Sequence, residues 1–163
     1  MTIDGPQFLM NVEGSGKVRG ILLESGTGTL YIANTTITIN ANVPSNPVAI
    51  YNHSGSSTAT INPYTNSTVT NSNTSYNGYG LVNNTGVMNV RGGTTIGKTY
   101  GVHSVGAGTL TIGNTSNADV STGSPAIQGG TYGVHAASGF KFYDGKLKNT
   151  LQLCIQNKKR VSK

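Results

Sequence analysis

The sequence predicts an all-β chain wound as a single-stranded, right-handed parallel β-solenoid, with about five to six coils of 21–32 residues and three short strands per coil. Three observations predict it. One phrase occurs twice: Tyr100-Gly101-Val102-His103 leads into Gly108-Thr109-Leu110-Thr111-Ile112-Gly113, and Tyr132-Gly133-Val134-His135 leads into Gly139-Phe140-Lys141-Phe142-Tyr143-Asp144-Gly145. Self-similarity at such a period marks stacked repeats. Each period also carries three apolar strand signals in the same order, which a sandwich does not require. The breaks between signals are rich in Gly, Asn, Ser and Thr, and charged residues make up only 10% of the chain, well below the usual quarter.

The coil starts are Gly20, Ala49, Gly80, Gly101 and Gly133, at intervals of 29, 31, 21 and 32 residues. An apolar residue follows each: Ile21, Ile50, Leu81, Val102, Val134. The second signal is an alternating pair, Leu30/Ile32, Ala59/Ile61, Met88/Val90, Leu110/Ile112 and Phe140/Phe142. Alternation puts both members of a pair on one strand face. The third signal is Ile37/Ile39, Val69, Ile96, Ile127 and Leu147. Upstream, Met10-Asn11-Val12 with Val18 matches Met88-Asn89-Val90 with Ile96, so the chain opens part-way through a coil.

Coils stacked about 4.7–4.9 Å apart bury inward side chains that no single coil can bury alone. Two core ranks are expected: Leu30, Ala59, Met88, Leu110, Phe140, and Ile32, Ile61, Val90, Ile112, Phe142. Tyr79, Tyr100 and Tyr132 precede the opening Gly of three consecutive coils and are expected to stack as a ladder. Asn52 and Asn83 share a corner position where amides can bond between coils. Three polar insertions stand out: Asn40–Pro47, Asn66–Asn77 and Asn114–Ser124. Insertions in a solenoid become loops, often on its binding face. From the last of them Asn114, Thr115, Ser116, Asn117, Asp119, Ser121 and Thr122 form the expected binding loop.

The solenoid domain is placed at 1–148 and a basic tail at 149–163, in which Leu151–Ile155 alternates enough for one more strand. The net charge of +6 is concentrated there: four of eleven basic residues are Lys158, Lys159, Arg160 and Lys163, leaving 7 − 5 = +2 elsewhere. A nucleic-acid-binding surface is not expected from so neutral a body. No apolar run is long enough to span a membrane. Met1–Pro6 has neither a basic nor an apolar leader region, so no signal peptide is read there and the chain either stays inside or is a piece of something longer. The single cysteine, Cys154, permits no intrachain disulfide.

Tyr-Gly-Val-His, Gly-Thr-Leu-Thr-Ile-Gly, Ser-Pro-Ala-Ile-Gln-Gly and Phe-Lys-Phe-Tyr-Asp-Gly, spread over roughly Gly20 to Lys148, resemble repeat segments of large surface proteins of Gram-positive, Firmicutes-like bacteria. Those repeats are similar to pectate-lyase-like β-helix and adhesin repeats. The resemblance implies export, an extracellular or cell-surface location, and an adhesive or spacer role.

The functional expectation is a non-enzymatic domain, adhesin or stalk, that displays polar loops to glycans or to host or sister-cell surfaces, without a cofactor. The alternative is a structural spacer or fragment. Catalysis on a polysaccharide needs clustered carboxylates. The five acids, Asp4, Glu13, Glu24, Asp119 and Asp144, share no coil position in adjacent coils, and Asp144 reads as a turn former. His103 and His135 share a position on an outward rank with Leu22, Tyr51 and Val82. Two imidazoles invite a metal ion, but no third ligand is evident, since His53 falls out of step. Ice binding by outward Thr pairs is a further alternative, weakened because only Thr58/Thr60 and Thr109/Thr111 are complete. The other coils offer Thr29/Tyr31, Val87/Asn89 and Gly139/Lys141. Tyr31, Tyr51 and Tyr64 are candidate sugar-stacking rings. Uncapped solenoid ends expose strand edges, so end-to-end association is expected.

Overall fold

The computed structural model describes residues 2–4, 7–13, 17–24, 29–33, 35–42, 46–53, 58–61, 68–71, 78–113 and 124–149. They form strands and turns without a helix. The first rung holds β1 (Thr2–Asp4) and β2 (Gln7–Glu13). Five coils of three strands follow. The first has β3 (Arg19–Leu23), β4 (Thr29–Ala33) and β5 (Thr36–Asn42), and the second β6 (Val48–Asn52), β7 (Thr58–Ile61) and β8 (Thr68–Asn71). The third has β9 (Tyr79–Asn83), β10 (Val87–Val90) and β11 (Thr94–Gly97), and the fourth β12 (Tyr100–Ser104), β13 (Thr109–Ile112) and β14 (Ala126–Gly129). The last has β15 (Tyr132–Ala136), β16 (Lys141–Phe142) and β17 (Lys146–Asn149). Each strand pairs in parallel with its equivalents one coil away. The result is an opening sheet (β3-β6-β9-β12-β15), a middle sheet (β1-β4-β7-β10-β13-β16) and a closing sheet (β2-β5-β8-β11-β14-β17). This is the expected parallel β-solenoid.

The core is a set of columns running along the axis. Ile21, Ile50, Leu81, Val102 and Val134 are successive register partners in the opening sheet. In the middle sheet, Leu30, Ala59, Met88 and Leu110 form one column, and Ile32, Ile61, Val90, Ile112 and Phe142 the other. Leu30, Ile32, Met88, Val90, Leu110 and Ile112 are at most 1% exposed. Each contributes roughly 1.5–3 kcal/mol by leaving water. Phe140 lies just before β16 and is partly buried against the core. Phe142 departs from expectation: it holds the register position of a core residue but is 44% exposed, on a strand, β16, that is an edge of its sheet among the described residues.

Three further expectations are corrected by register. In the closing sheet Thr95, not Ile96, aligns with Val69 and Ile127; Thr95 is 1% exposed and Ile96 half-buried on the outer side. Met10-Asn11-Val12 belongs to the closing sheet, where Met10 pairs with Ile39, rather than to the Met88 column of the middle sheet. Val18 accordingly stands just before the opening strand β3, its carbonyl accepting from the Val48 amide. The incomplete front rung therefore reaches back to Thr2. Finally, the polar run Asn66–Asn77 is not one insertion, because β8 passes through it; Asn40–Pro47 likewise begins inside β5.

Gly at the coil start has a steric cause. A Cβ on Gly101 would lie 2.8 Å from the carbonyl oxygens of both Gln128 and Gly133 and 2.6 Å from Ile127 Cγ2. The register passes over this residue, pairing Tyr100 with Tyr132 and Val102 with Val134. Residues three apart in a regular strand face opposite sides. Here the break re-phases the strand, and the Tyr100 and His103 rings meet with centroids 4.7 Å apart.

The corner amides form the expected ladder. Asn52, Asn83 and Ser104 are register partners. Asn52 Nδ2 donates to Asn83 Oδ1 (3.1 Å) and to the Val87 carbonyl (2.9 Å). Asn83 Nδ2 donates to the carbonyls of Gly86 (3.0 Å) and Thr109 (3.2 Å). Both asparagines are fully buried. The ladder ends at Ser104, whose Oγ is buried without a partner.

Candidate functional site

The closing sheet presents a continuous outer strip. Strand alternation sets Thr36 and Thr38, Thr68 and Thr70, Thr94 and Ile96, then Ala126 and Gln128, on the side opposite the buried column Ile37, Val69, Thr95, Ile127. Thr36, Thr68 and Thr94 are successive register partners, as are Thr38 and Thr70. The result is a hydroxyl grid with roughly 4.8 Å between coils and about 6.7 Å along a strand. These side chains are half-buried rather than open. The exposed Lys146 and Lys148 end the strip.

The stretches of sequence that join the closing sheet to its neighbours are long and polar. At the middle-to-closing corner they are 62–67, between β7 and β8, and 114–123, between β13 and β14. At the closing-to-opening corner they are 43–47, between β5 and β6, and 72–78, between β8 and β9. The sequence singles out Asn40–Pro47, Asn66–Asn77 and Asn114–Ser124; the strand order adds that each adjoins or includes a strand of the closing sheet.

The expected binding loop, Asn114, Thr115, Ser116, Asn117, Asp119, Ser121 and Thr122, lies outside the described residues, as do Tyr64, Cys154 and the possible strand at Leu151–Ile155. The loop's two anchors are described. Gly113 leaves β13 with φ 91°, and Ser124 Oγ donates to Asp144 Oδ2 at 3.2 Å. Asp144 is more than a turn former. It is 4% exposed, and its Oδ1 has no hydrogen-bond partner. A Cβ on Gly113 would stand 2.6 Å from that oxygen, so Gly is what lets the carboxylate tuck beneath the preceding coil. Glu24, by contrast, is exposed on the surface.

The opening sheet carries the Tyr/His cluster. Tyr79 and Tyr100 stack at 5.3 Å and 7°, Tyr100 and Tyr132 at 5.8 Å and 26°, as the ladder expectation has it. Leu22, Tyr51, Val82, His103 and His135 are register partners on the neighbouring outward rank. Val82 is nonetheless 5% exposed, between the larger register neighbours Tyr51 and His103. His135 stacks on Tyr100 at 5.0 Å and 12°, and lies 4.9 Å from His103. Burial, and then the neighbouring His135, lower the His103 pKa from 6.5 to about 4. Burial and the adjacent Tyr100 raise that of Tyr79, with Arg19 opposing.

This cluster opposes the two chemistries that its residues suggest. Nδ1 of both His103 and His135 is buried without a hydrogen-bond partner. A metal on Nε2 would force the proton onto Nδ1, which has no acceptor there, whereas histidine ligands normally donate that proton to one. Among the described residues no three His, Cys, Asp or Glu side chains gather as a metal set. Sugar stacking needs a free ring face, but Tyr79 and Tyr100 turn their faces to each other along the axis. Tyr51 is occupied by Arg19, whose Cζ lies 5.0 Å from the ring centroid, and by His53. Tyr31 remains, 48% exposed on the middle sheet with Thr2 and Thr60 as register neighbours.

No protein-family model, curated protein or solved structure matches this chain. The geometry itself therefore separates a structural aromatic spine on the opening sheet from a polar strip on the closing sheet. On the middle sheet the outward pairs stand as expected, with Thr58, Val87 and Thr109 in one register line and Thr60, Asn89 and Thr111 in the next.

Proposed function

We propose that this chain is a non-catalytic binding rod: a surface-displayed adhesin-type module that holds a neutral glycan along the outer face of its closing sheet. The observation that carries the reading is the Thr grid of β5, β8 and β11. Half-buried hydroxyls at a regular spacing offer donors and acceptors to a neutral polyhydroxylated chain. Binding that uses many weak polar contacts needs a preorganised surface, and the buried columns beneath the strip supply one. Asp144 speaks for a structural rather than a hydrolytic use of its carboxylate: it stands without a second described acid beside it, while hydrolysis of a glycosidic bond uses a pair.

A glycan array on the full chain tests this. Hits among neutral glycans, weakened by Thr70→Lys and lost on deletion of 114–123, support the strip and its bordering loop. Hits indifferent to both changes place the site elsewhere. A blank array favours the competing reading, a rigid spacer, for which the continuous core columns and the Tyr stack are sufficient.

A further inference from the structure

We infer that the tyrosine ladder of the opening sheet is a site of oxidative crosslinking, at which a one-electron oxidant of phenols joins Tyr79 to Tyr100 by a carbon–carbon bond. Tyr100 is the register partner of Tyr79 on one side and of Tyr132 on the other. In a parallel register, like side chains leave neighbouring strands in the same sense about 4.8 Å apart, so the ring carbons ortho to the two hydroxyls are counterparts. The Tyr79 and Tyr100 rings stand 5.3 Å apart at 7°, closer and more nearly parallel than Tyr100 and Tyr132 at 5.8 Å and 26°. The first pair is therefore the main site and the second the minor one.

The surroundings hold the two rings together. The residue after each is a glycine with no room for a side chain: a Cβ on Gly80 would lie 2.7 Å from the Gly101 carbonyl oxygen, and one on Gly101 2.8 Å from that of Gly133. The coils thus meet backbone to backbone beside the ladder. His103 packs edge-on against both rings, 5.3 Å from Tyr79 and 4.7 Å from Tyr100, and limits how far they can part. All three tyrosines are half-buried, so the rings are held by the fold yet remain in reach of an oxidant in solution. Burial, and then the adjacent Tyr100, raise the Tyr79 pKa, so the neutral phenol is the species oxidised and gives up its proton with the electron. His103, with its pKa lowered to about 4, is uncharged at neutral pH and adds no positive charge beside the rings to oppose the loss of an electron.

The chemistry balances with hydrogen peroxide as the terminal oxidant. Each phenol loses one electron and its hydroxyl proton, which gives two phenoxyl radicals. Their ortho carbons form one carbon–carbon bond, and the hydrogen on each of those carbons moves to a phenol oxygen. Two hydrogens leave the protein, and the peroxide takes them up as it is reduced to two molecules of water. Small rotations about the side-chain torsions bring the facing carbons into contact. Because the fold has already placed the partners, coupling within one chain outruns coupling between chains. The single cysteine permits no disulfide within the chain, whereas a bond between Tyr79 and Tyr100 ties the third coil to the fourth.

The test treats the full chain, in dilute solution, with a haem peroxidase and hydrogen peroxide, the peroxide being raised until Tyr31, 48% exposed, has reacted. The monomer fraction is then followed by intact mass, dityrosine fluorescence and peptide mapping. The expected product is a monomer lighter by two hydrogens in which Tyr79 is joined to Tyr100, with Tyr100 joined to Tyr132 as the minor product. Tyr100→Phe keeps a ring in the stack but removes the shared phenol, and is expected to cut the intramolecular product at least ~10-fold. Tyr79→Phe is expected to leave only the minor product, whose persistence shows that the ladder is still folded. In urea the preference for Tyr79 and Tyr100 is expected to vanish. A chain in which Tyr31 has reacted and the ladder has not overturns the inference. So does a monomer product that mainly joins other tyrosines, that survives Tyr100→Phe, or that forms equally well in urea.

Discussion

Replacing Asn83 separates the amide ladder from simple packing. Asn83 is fully buried, with three side-chain hydrogen bonds: from Asn52 Nδ2, and to the carbonyls of Gly86 and Thr109. Asn83→Ala removes all three. At about 1 kcal/mol net for each bond the loss approaches ~3 kcal/mol, moderated because Asn52 Nδ2 keeps the Val87 carbonyl and Gly86 still accepts from the Thr109 amide. We expect a destabilisation of roughly 2–3 kcal/mol. Asn83→Asp keeps the shape and one acceptor but removes both donors, and it sets a buried carboxylate oxygen where Nδ2 now meets two carbonyls. An unpaired buried charge costs more than a missing bond, so Asp is expected to be the more harmful replacement although it is the nearer isostere. Thermal unfolding followed by far-ultraviolet circular dichroism distinguishes them: at about 2–4 °C per kcal/mol for a chain of this size, alanine lowers the midpoint by about 4–12 °C and aspartate by more. An Asp variant as stable as the Ala variant, or an Ala variant within about 0.5 kcal/mol of the parent, refutes the assignment of the ladder as a hydrogen-bonded element.

Other outcomes follow from the same columns and clusters. His103 binds a proton less readily in the fold than in the unfolded chain, so stability is full above about pH 6.5 and falls as pH drops toward 4; because the ring is half-exposed the loss is screened to about 1 kcal/mol, and His103→Phe should flatten that limb of a stability-against-pH curve. Asp144→Asn neutralises a buried carboxylate with an unpartnered oxygen while leaving an acceptor for Ser124, and is expected to raise stability by about 1 kcal/mol in urea titration. Ile127→Ala empties a position 1% exposed between Thr95 and Leu147 in the closing-sheet column and should cost about 2–5 kcal/mol in the same assay, whereas Phe142→Ala, at a position 44% exposed, should cost about 1 kcal/mol or less.

Most of the winding was legible because the middle sheet alternates cleanly. Leu110-Thr111-Ile112 and Met88-Asn89-Val90 declare their inner faces without outside help, and Gly20, Gly80 and Gly101 each have a carbonyl of the next coil where a side chain would be. The closing sheet was harder. In Thr94-Thr95-Ile96-Gly97 the most apolar residue faces outward, because phase is set by Val69 and Ile127 in the coils on either side, and a single strand does not carry that information. In the polar run 66–77 Val69 alone signalled a strand, and its partners in the coils on either side give it the bounds Thr68–Asn71. The outer strip of the closing sheet escaped notice for a geometric reason: Thr36, Thr68 and Thr94 are far apart in sequence and fall in one line only when the coils are counted. Asp144 looked like a turn residue because its burial depends on Gly113 one coil earlier.

The Tyr stack gives the molecule an optical signature. The sequence has no Trp, so tyrosine dominates its near-ultraviolet absorption. Two phenol rings held nearly parallel at 5.3 Å, with a third at 5.8 Å from the second, couple their electronic transitions and impose a handed arrangement on them. Near-ultraviolet circular dichroism therefore reports directly on whether the third, fourth and fifth coils sit on one another, with no label attached. Unwinding that begins at the last coil would uncouple Tyr132 while the Tyr79 and Tyr100 signal persists, so the direction in which the rod comes apart can be followed by its own chromophores.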